Sequence, residues 1–196
     1  AGAQVMQADL DDRASLVRAF QGVHALFCVT NFWEHGSAER ELAQATHVAA
    51  AAREAGVRHV MWSTLEDTRE WVPLDDQRMP TLQGRFKVPH FDAKAESNRA
   101  FRDSGVPTTF LYLSFYWDNL IHFGMGPQRC ADDALVFSLP IGDAALPGIA
   151  VRDIGPCALA LFAQGEASHG QHVGIAGEHL ALPQMAHALG QALGEP

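Results

Sequence analysis

The hydrophobic positions of this chain fall into strand-like runs alternating with helical stripes, the pattern of a parallel α/β sheet. Gln4-Val5-Met6-Gln7-Ala8 reads as a short strand ending at Asp9. Asp11 or Asp12 then caps a helix running to about Phe20, with Leu16, Val17 and Phe20 on one side, and Gly22 stops it. The continuous apolar run over 24–29 has the pattern of a strand buried on both faces, and Thr30-Asn31 follows it. Ser37 caps a long alanine-rich helix whose inner stripe is Leu42, Ala45, Val48, Ala49 and Ala52, before Gly56. Next come a strand over 58–64, a loop holding Pro73, Pro80 and Gly84, an amphipathic helix over 87–104 closed by Gly105, and a strand over 108–113. Strand and helix alternating at these lengths require right-handed crossovers and a parallel sheet.

Beyond Leu113 the periodicity loosens. The pattern predicts one short helix over 115–123, a loop over 124–133 and a strand over 135–139. A helix over 151–162, a strand over 172–176 and a last helix over 182–193 complete the chain. This tail is expected to form a smaller lobe over the carboxyl ends of the sheet.

Composition narrows the function classes. A chain of 196 residues suffices for one domain with a real core. Its net charge of -9, from 14 Lys plus Arg against 23 Asp plus Glu, argues against nucleic acid as a partner. Cys28, Cys130 and Cys157 are an odd, widely spaced set with no zinc-type spacing, which fits a reduced compartment, the cytoplasm or the nucleus. Cys28, inside an apolar run, reads as core. No apolar stretch approaches the roughly 20 residues that span a bilayer, so no membrane segment is expected. Ala1 is not a methionine and the residues after it already read as a strand and loop, so the chain is expected to begin inside a longer protein.

The candidate chemistry centres on the helix over 87–104, where His90 and Lys94 stand one turn apart and share a face. The hydroxyls of Ser63 and Thr64 emerge where the preceding strand ends, and ligands of open α/β sheets bind beyond the carboxyl ends of the strands. Hydroxyl, imidazole and ammonium can therefore converge on one cleft. The alternative is an exposed helix with an incidental His and Lys. Tyr116 and Asn119 either touch a ligand or fix the corner after a strand. Trp33 and Trp117 either line the same cleft or pack. His169, His172 and His179 suit neither one helical face nor a strand pair with a carboxylate, so no metal is expected. No Gly-x-Ser-x-Gly elbow is present, which argues against a hydrolase of the α/β type.

Taken in order, several motifs resemble the NmrA-like family of atypical short-chain dehydrogenases/reductases, and most closely its redox-sensing members. The resemblance rests on Gly2-Ala3-Gln4-Val5 leading to Asp9-Leu10-Asp11-Asp12, on Phe27 through Glu34, on His90-Phe91-Asp92-Ala93-Lys94 and on Ser114 through Leu120. It continues through Ser138-Leu139-Pro140-Ile141-Gly142-Asp143 and Val151-Arg152-Asp153-Ile154-Gly155-Pro156. It implies a Rossmann-type parallel sheet with helices on both faces, lacking its N-terminal βαβ unit, plus a small C-terminal substrate lobe. The division it implies is a Rossmann core over 1–114 and, over 115–196, mostly the lobe with a returning helix at 152–164. The family's glycine-rich phosphate turn is absent from this chain, so NADP(H) is a cofactor expected of the complete protein.

The resemblance also assigns roles. It places Asp9 near the adenine with Leu10 packed beside it, and lays Thr30, Asn31 and Phe32 against the ribose and nicotinamide side. Lys94 matches the lysine that contacts the nicotinamide ribose, and Ser63 the superfamily's catalytic serine. Trp33, Tyr116 and Asn119 are candidates on the substrate-lobe side. Where catalytic members place a tyrosine four residues before the lysine, this chain has His90, which can act as a general acid near neutral pH. Redox-sensing members also lack that tyrosine. The expected function is therefore an NADP(H)-binding, redox-responsive regulator with little or no turnover, acting on a protein partner and compatible with a homodimer. The alternative is an NAD(P)H-dependent reductase of a small carbonyl or quinone, with His90, Lys94 and Ser63 as catalytic residues. A degenerate fragment without cofactor is the third reading.

Overall fold

The computed structural model describes residues 2–194. It divides into two compact units, one running through Tyr112 and including Ala160–Val173, the other made of Leu113–Leu159 and the residues from Gly174 on.

In the first unit, Asp12 accepts the Ala14 N–H at 2.9 Å and so caps α1, Arg13–Phe20. β1 is Ala25–Cys28, α2 is Ala38–Glu54 capped by Ser37, and β2 is His59–Thr64. α3, Pro89–Ser104, ends on Gly105 in the left-handed conformation (φ 69°) that a residue with a side chain resists. β3, Thr108–Leu113, follows. β1 pairs with β2 from Ala25 opposite His59, and β2 with β3 from Val60 opposite Thr108, both parallel. With β8 at His172–Ile175 the sheet order is β1-β2-β3-β8, flanked by helices, which is the α/β class expected. Every residue of β2 is buried, and Ala45, Val48, Ala49 and Ala52 of α2 meet Val60, Trp62, Phe101 and Phe110 in the core. The indole of Trp62 donates to Asn98 of α3 at 3.0 Å, so the helix is pinned to the sheet by a satisfied polar contact as well as by burial.

Two expectations fail in this unit. Residues 4–8 are not a strand, and Val5 is 95 % exposed. An extended segment becomes a strand only when a neighbour completes its ladder, and among the described residues none pairs with it. β1 is not buried on both faces either: it forms the edge of the sheet, and Phe27 and Val29 are exposed.

The second unit holds β4 (Phe115–Tyr116), α4 (Asn119–His122), β5 (Gln128–Arg129), β6 (Leu135–Val136), β7 (Leu146–Ile149), most of α5 (Val151–Ala163), β9 (Glu178–Leu180) and α6 (Leu182–Leu193). The single helix expected over 115–123 is instead a strand and a helical turn, because β4 is drawn into a sheet ordered β4-β7-β9. β5 and β6 form a hairpin across the expected loop, so the strand at 135–139 ends at Val136. β7 and β9 escape a sequence reading. Pro147 and Gly148 argue against a strand at β7, and three residues are too few to show a period at β9.

One buried network of the first unit gives a pH prediction. His59 Nε2 lies 2.8 Å from Thr109 Oγ1, whose own proton goes to the Ser168 carbonyl at 2.7 Å, so the histidine is the donor. Burial, aided by His169 and then His24, pushes His59 from 6.5 down to about 4. The folded ring thus resists a proton that the unfolded chain accepts. Its contribution is complete above about 6.5 and is lost as pH falls toward about 4. Urea unfolding at neutral and mildly acidic pH should show this decline, and His59→Gln should flatten it. An equal acid slope in the variant would refute the assignment.

Candidate functional site

The carboxyl ends of β1 and β2 and the first turns of α2 and α3 bring a cluster of polar groups together inside the first unit. Thr30 follows β1, and a short 3-10 turn over Phe32–Glu34 leads to His35 and the Ser37 cap of α2. From that cap Glu41 lies one turn into the helix, on the stripe that also carries Ala38, Ala45 and Val48. Leu42, expected on the inner stripe, is only half-buried, whereas the Glu41 side chain is wholly buried.

Lys94 reaches into this cluster from α3. Its ammonium lies 2.7 Å from Glu41 Oε1, 2.7 Å from Thr30 Oγ1 and 3.1 Å from the Thr30 carbonyl, and 5.1 Å over the Trp62 ring. The Thr30 hydroxyl in turn donates to Glu41 Oε1. An ammonium has three protons to give, and all three have takers here. Glu41 Oε2 and His35 Nε2, 3.8 Å apart, are both buried without a hydrogen-bond partner. Beneath them Cys28 is buried, and burial pushes its thiol up to about 12, which leaves it inert as a nucleophile.

Beside the ion pair lies an aromatic cage. The His90 ring centroid is 4.7 Å from Trp33, 4.8 Å from Phe91 and 5.9 Å from Phe32. Burial, then the Lys94 charge, lowers the His90 pKa against smaller opposing effects of Asp92 and Glu41, so the imidazole is neutral at neutral pH. Trp33 is 75 % exposed and leaves a broad aromatic face open to solvent.

The structure therefore brings Lys94 and Thr30 into direct contact, and His90, Phe32 and Trp33 into one cage. Ser63 is buried, but strand alternation puts it on the face of β2 opposite Trp62 and Thr64. The strand-end hydroxyl that meets α3 is that of Thr64, which donates to the Lys94 carbonyl at 3.2 Å. Asn31 precedes the 3-10 turn without capping it through its side chain. Asp9 folds the turn before α1 by accepting the Asp11 N–H at 2.9 Å, and the Leu10 carbonyl lies 3.0 Å from His47 Nδ1. Tyr116 and Asn119 belong to the second unit, at β4 and the start of α4, and burial raises the Tyr116 phenol. Among the three histidines weighed for metal, His169 meets His59 edge to face, His172 lies flat on Phe110 and takes part in a 2.8 Å hydrogen bond with the Tyr112 hydroxyl, and His179 sits in β9. Sequence reasoning missed Glu41 and His35. A glutamate on the alanine stripe of α2 was the available signal.

A parallel sheet flanked by helices, with a buried lysine at its carboxyl edge, defines an α/β protein of the doubly wound type. The chain belongs to the NmrA-like family, whose model matches residues 1–196. It is 31% identical to a (4-alkanoyl-5-oxo-2,5-dihydrofuran-3-yl)methyl phosphate reductase of Streptomyces griseus over 196 residues, which are 100% of this chain and 61% of that protein. NmrA, a negative transcriptional regulator solved in complex with NADP, superposes with a TM-score of 0.80 at 24% identity, over 98% of this chain and 57% of the other. The NADPH-dependent quinone oxidoreductase QOR2 of Escherichia coli, solved with NADPH, gives a TM-score of 0.72 at 26% identity, over 99% of this chain and 60% of the other. The chain thus spans about three fifths of the length of these relatives.

Proposed function

We propose that this chain forms the nicotinamide-facing part of an NADP(H)-binding domain that senses the redox state of its cofactor and reports it to a protein partner, with little or no turnover. The observation that carries the reading is the pair of groups on α3. Lys94 presents a buried ammonium suited to a ribose diol, and the residue one turn before it is a caged, neutral imidazole in place of a phenol. Thr30, Asn31 and Phe32 would flank the ribose and nicotinamide, and Asp9 and Leu10 the adenine. NADPH supplies the hydride equivalent whose presence or absence is sensed. Differential affinity for the two cofactor states is what can shift a partner surface, whether on another protein or a second copy of the chain.

A reductase of a small carbonyl or quinone is the second reading. It is favoured by the reductase relative along the whole chain and by the exposed Trp33 face beside His90, on which a planar substrate can stack. There Lys94 would orient the cofactor, and the neutral His90 imidazole would polarise the carbonyl oxygen through its ring N–H.

Titration of the full-length protein with NADPH, followed by nicotinamide fluorescence and then by absorbance with a quinone added, separates the two. Saturable binding with no NADPH oxidation supports the sensor. Oxidation that disappears in His90→Ala, with affinity kept within about twofold, supports the reductase. Absence of binding removes both.

A further inference from the structure

We infer that Glu41 is the residue that positions Lys94 for the dinucleotide. This rests on the proposed cofactor reading and names the device within that site. Four observations converge on it. Glu41 is wholly buried on α2, and its Oε1 takes both the Lys94 ammonium and the Thr30 hydroxyl. All three Lys94 protons are engaged, two by Thr30 and one by Glu41. The other carboxylate oxygen, Oε2, is buried without a hydrogen-bond partner. His35 Nδ1 accepts the Ser37 N–H at 3.1 Å, which turns the unpartnered Nε2 toward Oε2 at 3.8 Å, beyond hydrogen-bond reach.

The consequences follow from the unequal strength of the three Lys94 contacts. A ribose diol needs at least one ammonium proton. The two contacts to Thr30 are to neutral oxygens and are cheap to exchange, whereas the contact to the buried Glu41 carboxylate joins two charges. Lys94 could therefore release Thr30 to bond a ribose diol while Glu41 holds the ammonium as its pivot. The unpartnered Oε2 would give the ammonium a second place to bond as it moves. The charged and titratable groups facing Lys94 are Glu41 from α2, His35 from the loop before it, Cys28 from β1, and His90 and Asp92 from α3 itself. Of these Glu41 is the one carboxylate within bonding distance of the ammonium.

The test is Glu41→Gln in the full-length protein, with NADPH as the probe over about pH 6 to 9. A buried ammonium stripped of its counter-charge sheds its proton more readily as pH rises. The variant should bind NADPH about tenfold more weakly near neutrality, with the deficit growing toward alkaline pH. Glu41→Asp, which keeps the charge but withdraws it, should bind more weakly than wild type without that added slope. A purely structural role predicts an affinity loss equal at every pH, and that result, or wild-type affinity in both variants, overturns the proposal. A second readout needs no cofactor. The 15N resonance of a hydrogen-bonded, slowly exchanging Lys94 ammonium should be visible in the wild type and vanish in Glu41→Gln, with Glu41→Asp as the fallback if Gln fails to fold. Its persistence unchanged refutes the role of Glu41. If NADPH binds to no form yet the resonance depends on Glu41, the cofactor reading fails and the positioning of Lys94 stands.

Discussion

Replacing Asp92 by alanine is expected to destabilise the first unit by about 3–5 kcal/mol, read as a lower denaturant midpoint at unchanged slope. The side chain of Asp92 has no exposed surface. It accepts the Thr68 N–H at 2.9 Å, the Thr68 hydroxyl at 2.5 Å, the Lys87 N–H at 2.8 Å and the Val88 N–H at 3.2 Å. These four bonds solve a local problem at the start of α3. Val88 holds the cap position but has no oxygen to offer, and Pro89 has no N–H of its own. Asp92 reaches back from the first turn to the cap N–H, as the acidic member of a capping box does, and in the same stroke ties down Thr68 from the long loop before the helix. Lys87, wholly buried, fastens that loop a second time by donating to the Asp76 and Met79 carbonyls at 2.8 and 2.7 Å. Removing the carboxylate strands two backbone donors of the α3 entry and one of the loop in a dry interior. Asp92→Asn, which keeps one good acceptor, should cost roughly half as much. A change in midpoint equivalent to less than about 1 kcal/mol for the alanine variant would mean that water or a rearranged loop satisfies those donors, and that this carboxylate does not organise the helix entry.

The helix entry bears on what a sequence can disclose. The span of α3 was legible because its signals are local: turn residues before it, a stripe at helical spacing and a glycine after it. The same is true of β3 and α6, whose limits match the expected ones. Strand character at 4–8 was misread because a strand is a relation between two segments, and alternation in one of them cannot supply the other. The β7 strand failed in the opposite direction, because Pro147 precedes the two residues that pair with β4 and so has a neighbouring strand on the β9 side alone. In the site, Lys94 and His90 could be found from their spacing, whereas Thr30 and Phe32 came through the family resemblance alone. Glu41 lies on the inner face that the alanine stripe of α2 marks, yet it could not be assigned a role, since the ion pair joins α2 to α3 across a strand and a long loop and only packing shows that Lys94 is its partner. Ser63 illustrates the same limit at finer scale. Its neighbour Thr64 carries the same functional group, and only the pleat of β2 decides which hydroxyl meets α3.

The same ion pair yields the second large effect. Lys94→Met keeps the length of the side chain and deletes its charge, leaving the buried Glu41 carboxylate with no cation. Breaking a buried pair by removing one partner typically costs about 3–5 kcal/mol, most of it the penalty of the charge left behind. That cost should therefore shrink when the second charge is removed as well. Lys94→Met combined with Glu41→Gln is expected to recover at least about 2 kcal/mol relative to Lys94→Met alone, a coupling that a double-mutant cycle in urea measures directly. Simple additivity of the two single substitutions would show that the pair contributes no interaction energy. Function should part company with stability in this cycle. The double variant regains its fold but has no ammonium for a ribose diol, so its NADPH affinity should stay at least about tenfold below that of the wild type. Recovery of affinity together with stability would show that Lys94 serves the fold alone, and would move the cofactor contact elsewhere on the carboxyl edge of the sheet.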